Sequence, residues 1–552
     1  MKIFHRLLIT LFSALLLVSG CTKLDRFPES KFSDEDFWNT ETDLINAANR
    51  LYQQLDANWV DNRADDAVNQ GGPNSTSNGN ISIPNTSAEW SDRYDEIFTA
   101  NNILEKGGKA KVTEAIRNRY FAEARFFRAY AYLSLVQKYG DVPLVLHSLE
   151  ITSPDLLMPR TPRDSVMTAI YADLDFAAQW LPARSALAVA QYGRVTKSSA
   201  WALEARAGLY EGTRAKFRSE ANWQKHLQIA VTAAKNVMAQ GHVLFSNYVT
   251  LFTQPGEGAA NTENILVKIY GVSNLNLLLG HNNSRDLENG RMAPTRNLIR
   301  QYLYSDGLPA YSTLNTLVTS PSPLYVAEGS ETSYNTILQS RDPRLGFTVF
   351  LSGEDAYKGP WVPTTSLGAR SAFAAKKGFN IIDQTINGAG TVDRILIRYA
   401  EVLLIYAEAS YELTETITDA DLDLTINKLR TRVGFTKKLT NAFVTANNLN
   451  MREEIRRERT VELALEGFRY DDLVRWKTAE KLLPVELLGA KFIAADWPNT
   501  NASTLNLNAN GVLVVEPAST RHFDASKNYL YPVPFNEITL SGGNVKQNPN
   551  WQ

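Results

Sequence analysis

The chain has 552 residues, of which 44% are apolar and 21% are charged, and its formal net charge at pH 7 is −2. This balance is that of a globular protein, and it excludes a disordered chain and a protein with many membrane spans. The near-neutral charge lacks the basic excess that binds nucleic acid, so no nucleic-acid partner is predicted.

The N-terminus has the pattern of a bacterial export signal. A basic start precedes an apolar run over residues 7–18, which is too short for a comfortable transmembrane helix. Val18-Ser19-Gly20-Cys21 then resembles a bacterial lipobox, with valine in place of the usual leucine. We therefore predict a lipoprotein signal peptide over residues 1–20 and lipidation of Cys21, the only cysteine of the chain. A cleaved secretory signal with an incidental cysteine is the alternative.

Apolar residues at helical spacing dominate most of the mature chain. A tether over residues 21–40 precedes them, and a polar stretch over 60–88 is predicted to be a long loop. Helices are predicted around residues 44–55, 88–105, 113–139, 163–181, 197–214, 221–239, 393–413, 419–433 and 451–482.

The pattern predicts a mostly α fold, a tetratricopeptide-like scaffold of helical hairpins with an irregular, loop-rich subdomain inserted into it. The N-terminal helical part would span residues 41–242 and the irregular subdomain residues 243–392, with a strand at 265–270. The C-terminal helical part and tail would span residues 393–552, and the three parts together form one compact unit.

Neither a metal site nor a cofactor is predicted. The six histidines include no pair at metal spacing, and no HExxH, GxSxG or phosphate-binding glycine motif occurs. Asp419, Asp421 and Asp423 imitate a calcium loop, but Leu424 stands where glycine is needed, so we expect a helix start instead.

The stretch IRRERTVELALEGFRYDDLVRW, residues 455–476, is rich in alternating charges. Glu454–Arg457 and Arg459–Glu462 fall at i,i+3, which favours ion pairs along a structural helix over an anion site or an acid/base cluster.

Several stretches together resemble one known family. They are LDRFPESKFSDEDFWNTETDLINAANRLYQ behind the cysteine, EARFFRAYAYLSLVQKYGDVPLV at 123–145, RYAEVLLIYAEASYEL at 398–413, INKLRTRVGF at 426–435, the charged stretch above, and YLYPVPFNEI with QNPNW at the end. In this order and spacing, behind a lipobox, the chain resembles the SusD/RagB-like outer-membrane lipoproteins of Bacteroidetes.

The resemblance implies a protein held in the outer membrane by its N-terminal lipid and facing outward. It also implies a glycan ligand, no enzymatic activity, and delivery of the ligand to a SusC-like TonB-dependent transporter as partner. Peptide capture of the RagB type is one alternative. A lipid-anchored glycoside hydrolase is another, with Asp65–Asp66 or Asp471–Asp472 as carboxylate pairs by residue type only.

The ligand site is expected in the loops, where aromatic platforms and charged hydrogen-bond partners could hold a sugar. The predicted ligand-binding residues are Trp59, Arg63, Asp65, Asp66, Trp90, Tyr311 and Trp361. Trp90 also fits a helical apolar stripe and could be a core residue instead of an aromatic platform. The same two alternatives apply to Trp59 and Trp361.

Overall fold

A computed structural model describes residues 37–55, 60–271, 280–356, 359–363, 369–384, 387–388 and 390–551. Cys21 and Trp59 lie outside these residues, so lipidation of Cys21 and a ligand role for Trp59 remain predictions. None of the helices in the described ranges is both long and apolar enough to span a bilayer.

Helices make up most of the regular structure, which confirms the predicted mostly α class. They are α1 Glu41–Gln53, α2 Ser75–Asn78, α3 Ala88–Lys106, α4 Glu114–Tyr139, α5 Arg163–Trp180, α6 Lys197–Lys216, α7 Trp223–Met238, α8 Asn283–Glu288, α9 Arg296–Ile299, α10 Tyr334–Leu338, α11 Arg344–Thr348, α12 Ile381–Gln384, α13 Tyr399–Thr414, α14 Asp419–Leu424, α15 Ile426–Arg432, α16 Asn441–Ala446, α17 Met451–Glu462, α18 Arg469–Arg475, α19 Ala479–Leu482 and α20 Phe535–Leu540.

Short strands form small antiparallel pairs instead of a continuous sheet. They are β1 Ala67–Val68, β2 Asn264–Lys268, β3 Ala293–Pro294, β4 Asp355–Ala356, β5 Gly359–Pro360, β6 Arg394–Arg398, β7 Leu487–Lys491 and β8 Val512–Glu516. β1 pairs with β3, β2 with β6, β4 with β5, and β7 with β8. The strand predicted at 265–270 is confirmed as β2.

The longest helix, α4, shows how the helical body is built. Thr113 caps its N-terminus by accepting a hydrogen bond from the Ile116 amide, and Gly140, with φ +76°, ends it. Helix α4 packs against α1, α3 and α5, while α13 packs against α7 and α17. Buried alanines such as Ala124 and Ala131 allow this close approach. The tetratricopeptide-like description and the domain boundaries remain predictions.

Several predicted elements differ from the structure. The stretch at 60–88 is largely irregular, as predicted for a loop, but it is packed into the protein, because it contains buried Ala64, Ala67 and Val68 and pairs through β1 with β3. The helix predicted over 419–433 is two helices, α14 and α15, separated at Thr425. The helix predicted from 393 begins only at Tyr399, after strand β6. The helix predicted over 451–482 is three helices, because positive φ angles at Leu465 (+62°) and Gly467 (+91°) turn the chain after α17.

A buried ionic network, defined here as Glu462 with its guanidinium partners, joins the loop-rich part to the C-terminal helices. The Glu462 carboxylate accepts hydrogen bonds from Arg344 at 3.0 Å, Arg398 at 2.7 Å and Arg432 at 2.5 Å. These arginines lie on α11, in β6 and on α15. Burial opposes ionisation of Glu462, but the three guanidinium groups outweigh it and hold its pKa well below the ordinary value.

Charged partners continue outward from the network. Glu466 accepts hydrogen bonds from Arg398 at 2.7 Å and from Lys377 at 2.6 Å. The predicted Glu454–Arg457 pair is confirmed at 3.2 Å. The predicted pairing of Arg459 with Glu462 is wrong, because Arg459 turns to Asp472 on α18, at 2.8 Å.

Replacing Glu462 by glutamine should strongly destabilise the protein. The amide would leave three buried guanidinium groups without their shared carboxylate, and breaking a buried pair costs about 3–5 kcal/mol. Denaturant unfolding measures the change. Asp423→Asn, which removes an exposed partner of Lys438, is the control and should change stability little. Equal effects of the two variants would contradict the role given to Glu462.

Stability should also fall in acid. Burial would raise the pKa of Glu466, but Arg398 and Lys377 outweigh it and lower that pKa to about 2. Because the folded pKa lies below the unfolded value, this carboxylate stabilises the fold above about pH 5 and loses that effect as the pH falls toward 2. Unfolding free energies at pH 7, 5, 4 and 3 should decrease, with a shallower slope in Glu466→Gln. An identical slope in the variant would contradict this account.

Candidate functional site

Three tyrosines from the irregular part of the chain form one group, here called the tyrosine cluster: Tyr304, Tyr311 and Tyr325. The Tyr311 and Tyr325 hydroxyls are 3.0 Å apart, and the two rings meet edge to face with centroids 5.9 Å apart. The ring of Tyr304 meets that of Tyr325 at 6.3 Å, again edge to face. This is a preferred geometry for aromatic pairs. Tyr311 and Tyr325 are half-buried, so the cluster lies at the surface.

Two guanidinium groups lie over rings of the cluster. The Cζ atom of Arg300 is 4.4 Å from the centroid of Tyr311, and that of Arg341 is 4.2 Å from the centroid of Tyr304. Such cation–π contacts fix the orientation of both partners. Because Arg300 already covers one face of Tyr311, the surface offered to a ligand combines ring edges, hydroxyls and planar N–H groups.

Glu328 supplies an anionic acceptor beside these donors. Arg300 donates to Glu328 Oε1 from Nε at 2.9 Å and from Nη2 at 2.6 Å, and the Tyr311 hydroxyl donates to the same oxygen at 3.2 Å. Burial opposes ionisation, but Arg300 and Arg296 outweigh it and lower the pKa of Glu328. The cluster therefore holds a carboxylate that stays charged at neutral pH.

The turn that carries Tyr311 is tied to the scaffold through Asp65. Asn315, with φ +58°, donates from Nδ2 to Asp65 Oδ2 at 3.3 Å and accepts from Gln301 at 2.7 Å. Arg469 on α18 grips the Asp65 carboxylate with two hydrogen bonds of 2.8 and 3.0 Å. The carboxylate of Asp65 is thus used in positioning the loop.

Exposed apolar side chains border the tyrosine cluster. Leu317 lies opposite Tyr311 in an isolated antiparallel bridge, and Leu324 and Val326 flank Tyr325 in the sequence. All three are exposed large hydrophobic side chains. The cluster and this border together present both polar groups and apolar surface.

A second feature, here called the charged cavity, lies behind the segment at 60–63. Its volume is about 520 Å³, and its wall includes Asp61, Arg63 and Asp471 together with the side chains of Leu209 and Phe468. Arg63 binds Asp61 in a fork of 2.9 and 2.8 Å and approaches Asp471 at 3.6 Å. The wall of the cavity therefore combines charged groups with apolar side chains.

Burial and neighbouring charges shift the pKa values of the acids around this segment in different directions. Burial raises the pKa of Asp471, whereas Arg63 outweighs burial and lowers the pKa of Asp61. Burial, aided by neighbouring Asp65, raises the pKa of Asp66 to about 8. The main-chain carbonyl of Asp66 accepts the Thr295 amide at 2.9 Å, so this residue also joins the loop-rich part to the scaffold.

Comparison with known proteins identifies the family. A family model described as the SusD family matches residues 269–551, which is more than half of the chain. The chain belongs to the SusD family. A second model, described as starch-binding and associating with the outer membrane, matches residues 24–209 of this SusD-family chain.

Individual SusD-like proteins align along nearly the whole length. SusD-like protein P2 of Formosa agariphila is 25% identical over 573 residues, covering 98% of this chain and 99% of that protein. The solved structure of a SusD-like carbohydrate-binding protein from Bacteroides fragilis superposes with a TM-score of 0.73 at 26% identity, covering 91% of this chain and 99% of that one. A laminarin-binding SusD-like protein shares the fold, with a TM-score of 0.59 at 22% identity over 93% of this chain and 100% of that one.

Within this SusD-family fold, four predicted ligand residues lie in two places, which Asp65 links through its hydrogen bond to Asn315 in the turn of Tyr311. Arg63 lines the charged cavity, Asp65 and Asp66 hold the neighbouring segment, and Tyr311 lies in the tyrosine cluster. Sequence reasoning placed no weight on Arg300, Arg341 and Glu328, which surround the tyrosines. Their only signal was the spacing of charged residues through a tyrosine-rich stretch.

The structure buries the two predicted tryptophans that it describes. Trp90 is 4% exposed and packs against Tyr139, with centroids 4.9 Å apart. Trp361 is 5% exposed and packs against Tyr334 at 5.0 Å. An open stacking platform does not fit either position, because neighbouring rings cover both indoles. The core alternative fits both.

Trp361→Ala should therefore act on stability and not on ligand affinity. Removing a buried tryptophan leaves a cavity and costs about 3–5 kcal/mol. Thermal or denaturant unfolding measures the loss, and Phe535→Ala, at an exposed phenylalanine, is the control with little expected change. Reduced ligand affinity of the folded variant, without loss of stability, would contradict the burial argument.

Proposed function

We propose that this protein captures a glycan at the surface formed by the tyrosine cluster and its apolar border. The observation that carries the proposal is the surface formed by the half-buried Tyr311 and Tyr325 with Arg300 and Arg341, which the buried Tyr304 and Glu328 hold from the protein side. Family membership and the carbohydrate-binding and laminarin-binding relatives support it.

The chemistry of the surface suits a sugar. A sugar ring offers apolar C–H faces, which pack on aromatic and aliphatic side chains such as Tyr325 and Leu317, and hydroxyls that need both donors and acceptors. Arg300 and the tyrosine hydroxyls can donate, and the charged carboxylate of Glu328 can accept. The charged cavity at the segment 60–63 offers a further mixed polar and apolar space, but only the tyrosine cluster carries the proposal.

The proposal also places the protein in a transport step. Lipid on Cys21 would hold the chain on the outer membrane facing the cell exterior, and the bound glycan would pass to a SusC-like TonB-dependent transporter. The lipobox pattern and the second family model support this placement. No bond of the glycan is broken in this step.

The contacts of the acids support binding without catalysis. Retaining and inverting glycoside hydrolases need two carboxyl groups facing the scissile bond. Asp65 is engaged by Arg469, and Asp472 by Arg459 and Arg475, so these members of the two candidate pairs serve the scaffold. Turnover of a glycan by the purified protein would contradict this part of the proposal.

Binding to a panel of polysaccharides and peptides, by affinity electrophoresis and calorimetry, tests the proposal. We expect binding of at least one glycan and about a tenfold weaker affinity in Tyr325→Ala, since aromatic contacts of this kind contribute roughly 1 kcal/mol or more. Tyr411→Ala is the matched control, because Tyr411 is half-buried like Tyr325 but lies outside the tyrosine cluster, with the Cζ atom of Arg452 5.5 Å from its ring centroid.

The control variant should bind like the unmodified protein. Binding of peptides with no binding of any glycan would overturn the proposal in favour of the peptide alternative. Equal affinities of Tyr325→Ala and Tyr411→Ala would remove the tyrosine cluster from the site while leaving glycan capture intact.

A further inference from the structure

A groove on the helical body, away from the residues of the tyrosine cluster, has an unusual surface. Three segments form it: the first half of α3, the connection at 143–158, and the C-terminal stretch at 537–545. Its volume is about 370 Å³. The apolar wall includes Trp90, Tyr94, Phe98, Leu156, Met158 and Leu540. We call this feature the apolar groove.

Hydrogen bonds between its walls make the groove a preformed feature. The Tyr94 hydroxyl donates to the Pro143 carbonyl at 2.9 Å, and Asn544 donates to the Leu157 carbonyl at 2.8 Å. The Phe535 amide, just before the C-terminal wall, donates to the Pro84 carbonyl at 2.9 Å. A partner would therefore meet a surface that needs little ordering on binding.

Exposed apolar side chains are concentrated here. Among the fifteen large apolar side chains that the described residues leave exposed, seven line the groove or lie within two residues of its lining. They are Phe98, Leu146, Ile151, Leu156, Leu157, Phe535 and Leu540. Leu540 is 74% exposed and Phe98 51%. Three of them, Phe98, Leu156 and Leu540, line the groove itself, and a concentration of exposed apolar side chains on a globular protein marks an interaction surface.

The charged side chains that line the groove are acidic. Asp95, Asp155 and Glu537 line it, and the described lining residues include no lysine or arginine. His147, which is positively charged only when protonated, also lines the groove, and its Nε2 atom is 3.1 Å from a carboxylate oxygen of Asp155. The groove therefore complements a surface that carries apolar side chains next to basic ones.

This combination selects among possible occupants. A glycan would leave its hydroxyls facing apolar side chains, which costs binding free energy. A second copy related by a twofold axis would place the same acids of both copies against one another, and like charges across an interface are unfavourable. An apolar protein segment flanked by lysine or arginine fits both parts of the groove, because its apolar side chains would pack on the wall and its basic side chains would pair with the acidic rim, Asp95, Asp155 and Glu537.

We infer that the apolar groove docks the protein to its membrane transporter, through a segment of that transporter with apolar side chains flanked by basic residues. The identity of the partner rests on the proposed function. The groove shares no residue with the tyrosine cluster, so variants can disturb glycan capture and partner docking separately.

Co-purification in the bacterium that encodes the chain tests the inference. The full-length protein carries an affinity tag, and mass spectrometry quantifies any TonB-dependent barrel that accompanies it from detergent-solubilised outer membranes. Phe98→Glu with Leu540→Glu should reduce the recovered barrel at least tenfold. The control is Val189→Glu with Leu424→Glu, at exposed apolar residues outside the groove, and should recover the barrel undiminished.

Charge reversal tests the acidic rim independently. Asp95→Lys with Glu537→Lys should also lower recovery of the barrel. Asp92→Lys is the matched control, because Asp92 is an exposed acid on the same helix that does not line the groove, and it should have no effect. Thermal unfolding of each purified variant verifies that the fold is retained.

Glycan affinity of the same variants separates the two proposals. Loss of the barrel with unchanged glycan affinity supports the inference. Undiminished recovery of the barrel with the groove variants overturns it, as does recovery of a second copy in place of the barrel, the absence of any barrel with the unmodified protein, or joint loss of barrel and glycan binding. A protein that recovers its barrel but binds no glycan would refute the proposed glycan function and leave the docking surface intact.

Discussion

The buried carboxylate of Glu462, shared by Arg344, Arg398 and Arg432, is the interaction on which the arrangement of the chain depends. Its partners come from the loop-rich part, from a strand and from a C-terminal helix, so one side chain fixes the meeting point of all three. Burying four charged groups is costly unless every partner is in place. Another docking of these segments would separate Glu462 from at least one of its guanidinium partners, and the ionic network therefore favours one arrangement.

Buried charged side chains also position the proposed ligand surface. Asp65 is held by Arg469 from the helical body and in turn holds Asn315 in the loop that carries Tyr311. The tyrosine rings are further fixed by Arg300 and Arg341. A surface fixed in this way loses little conformational freedom when a ligand binds, which favours affinity. Buried ion pairs therefore help to hold both the scaffold and the proposed ligand surface.

The local sequence pattern was sufficient to predict features that depend on residues close together in the chain. The spacing of apolar residues predicts α4, and threonine and glycine mark its ends. Pairing across long separations was not predictable, because Arg459 has a suitable acid three residues away and yet binds Asp472 on another helix. Trp361 reads as a loop residue between two prolines, and only the fold shows that Tyr334 and Phe350 cover it. Membership of the tyrosine cluster likewise depends on turns that bring residues 304, 311 and 325 together.

The tie between Asp65 and Asn315 has an evolutionary consequence. Because it fixes the backbone of the turn from below, the exposed side chains of Leu317, Leu324 and Val326 contribute little to folding and are free to vary. Under the proposed function, mutations at these positions would change which glycan is favoured while the protein stays folded. Related proteins could then diverge in ligand preference by exchanging a few exposed residues on an unchanged body.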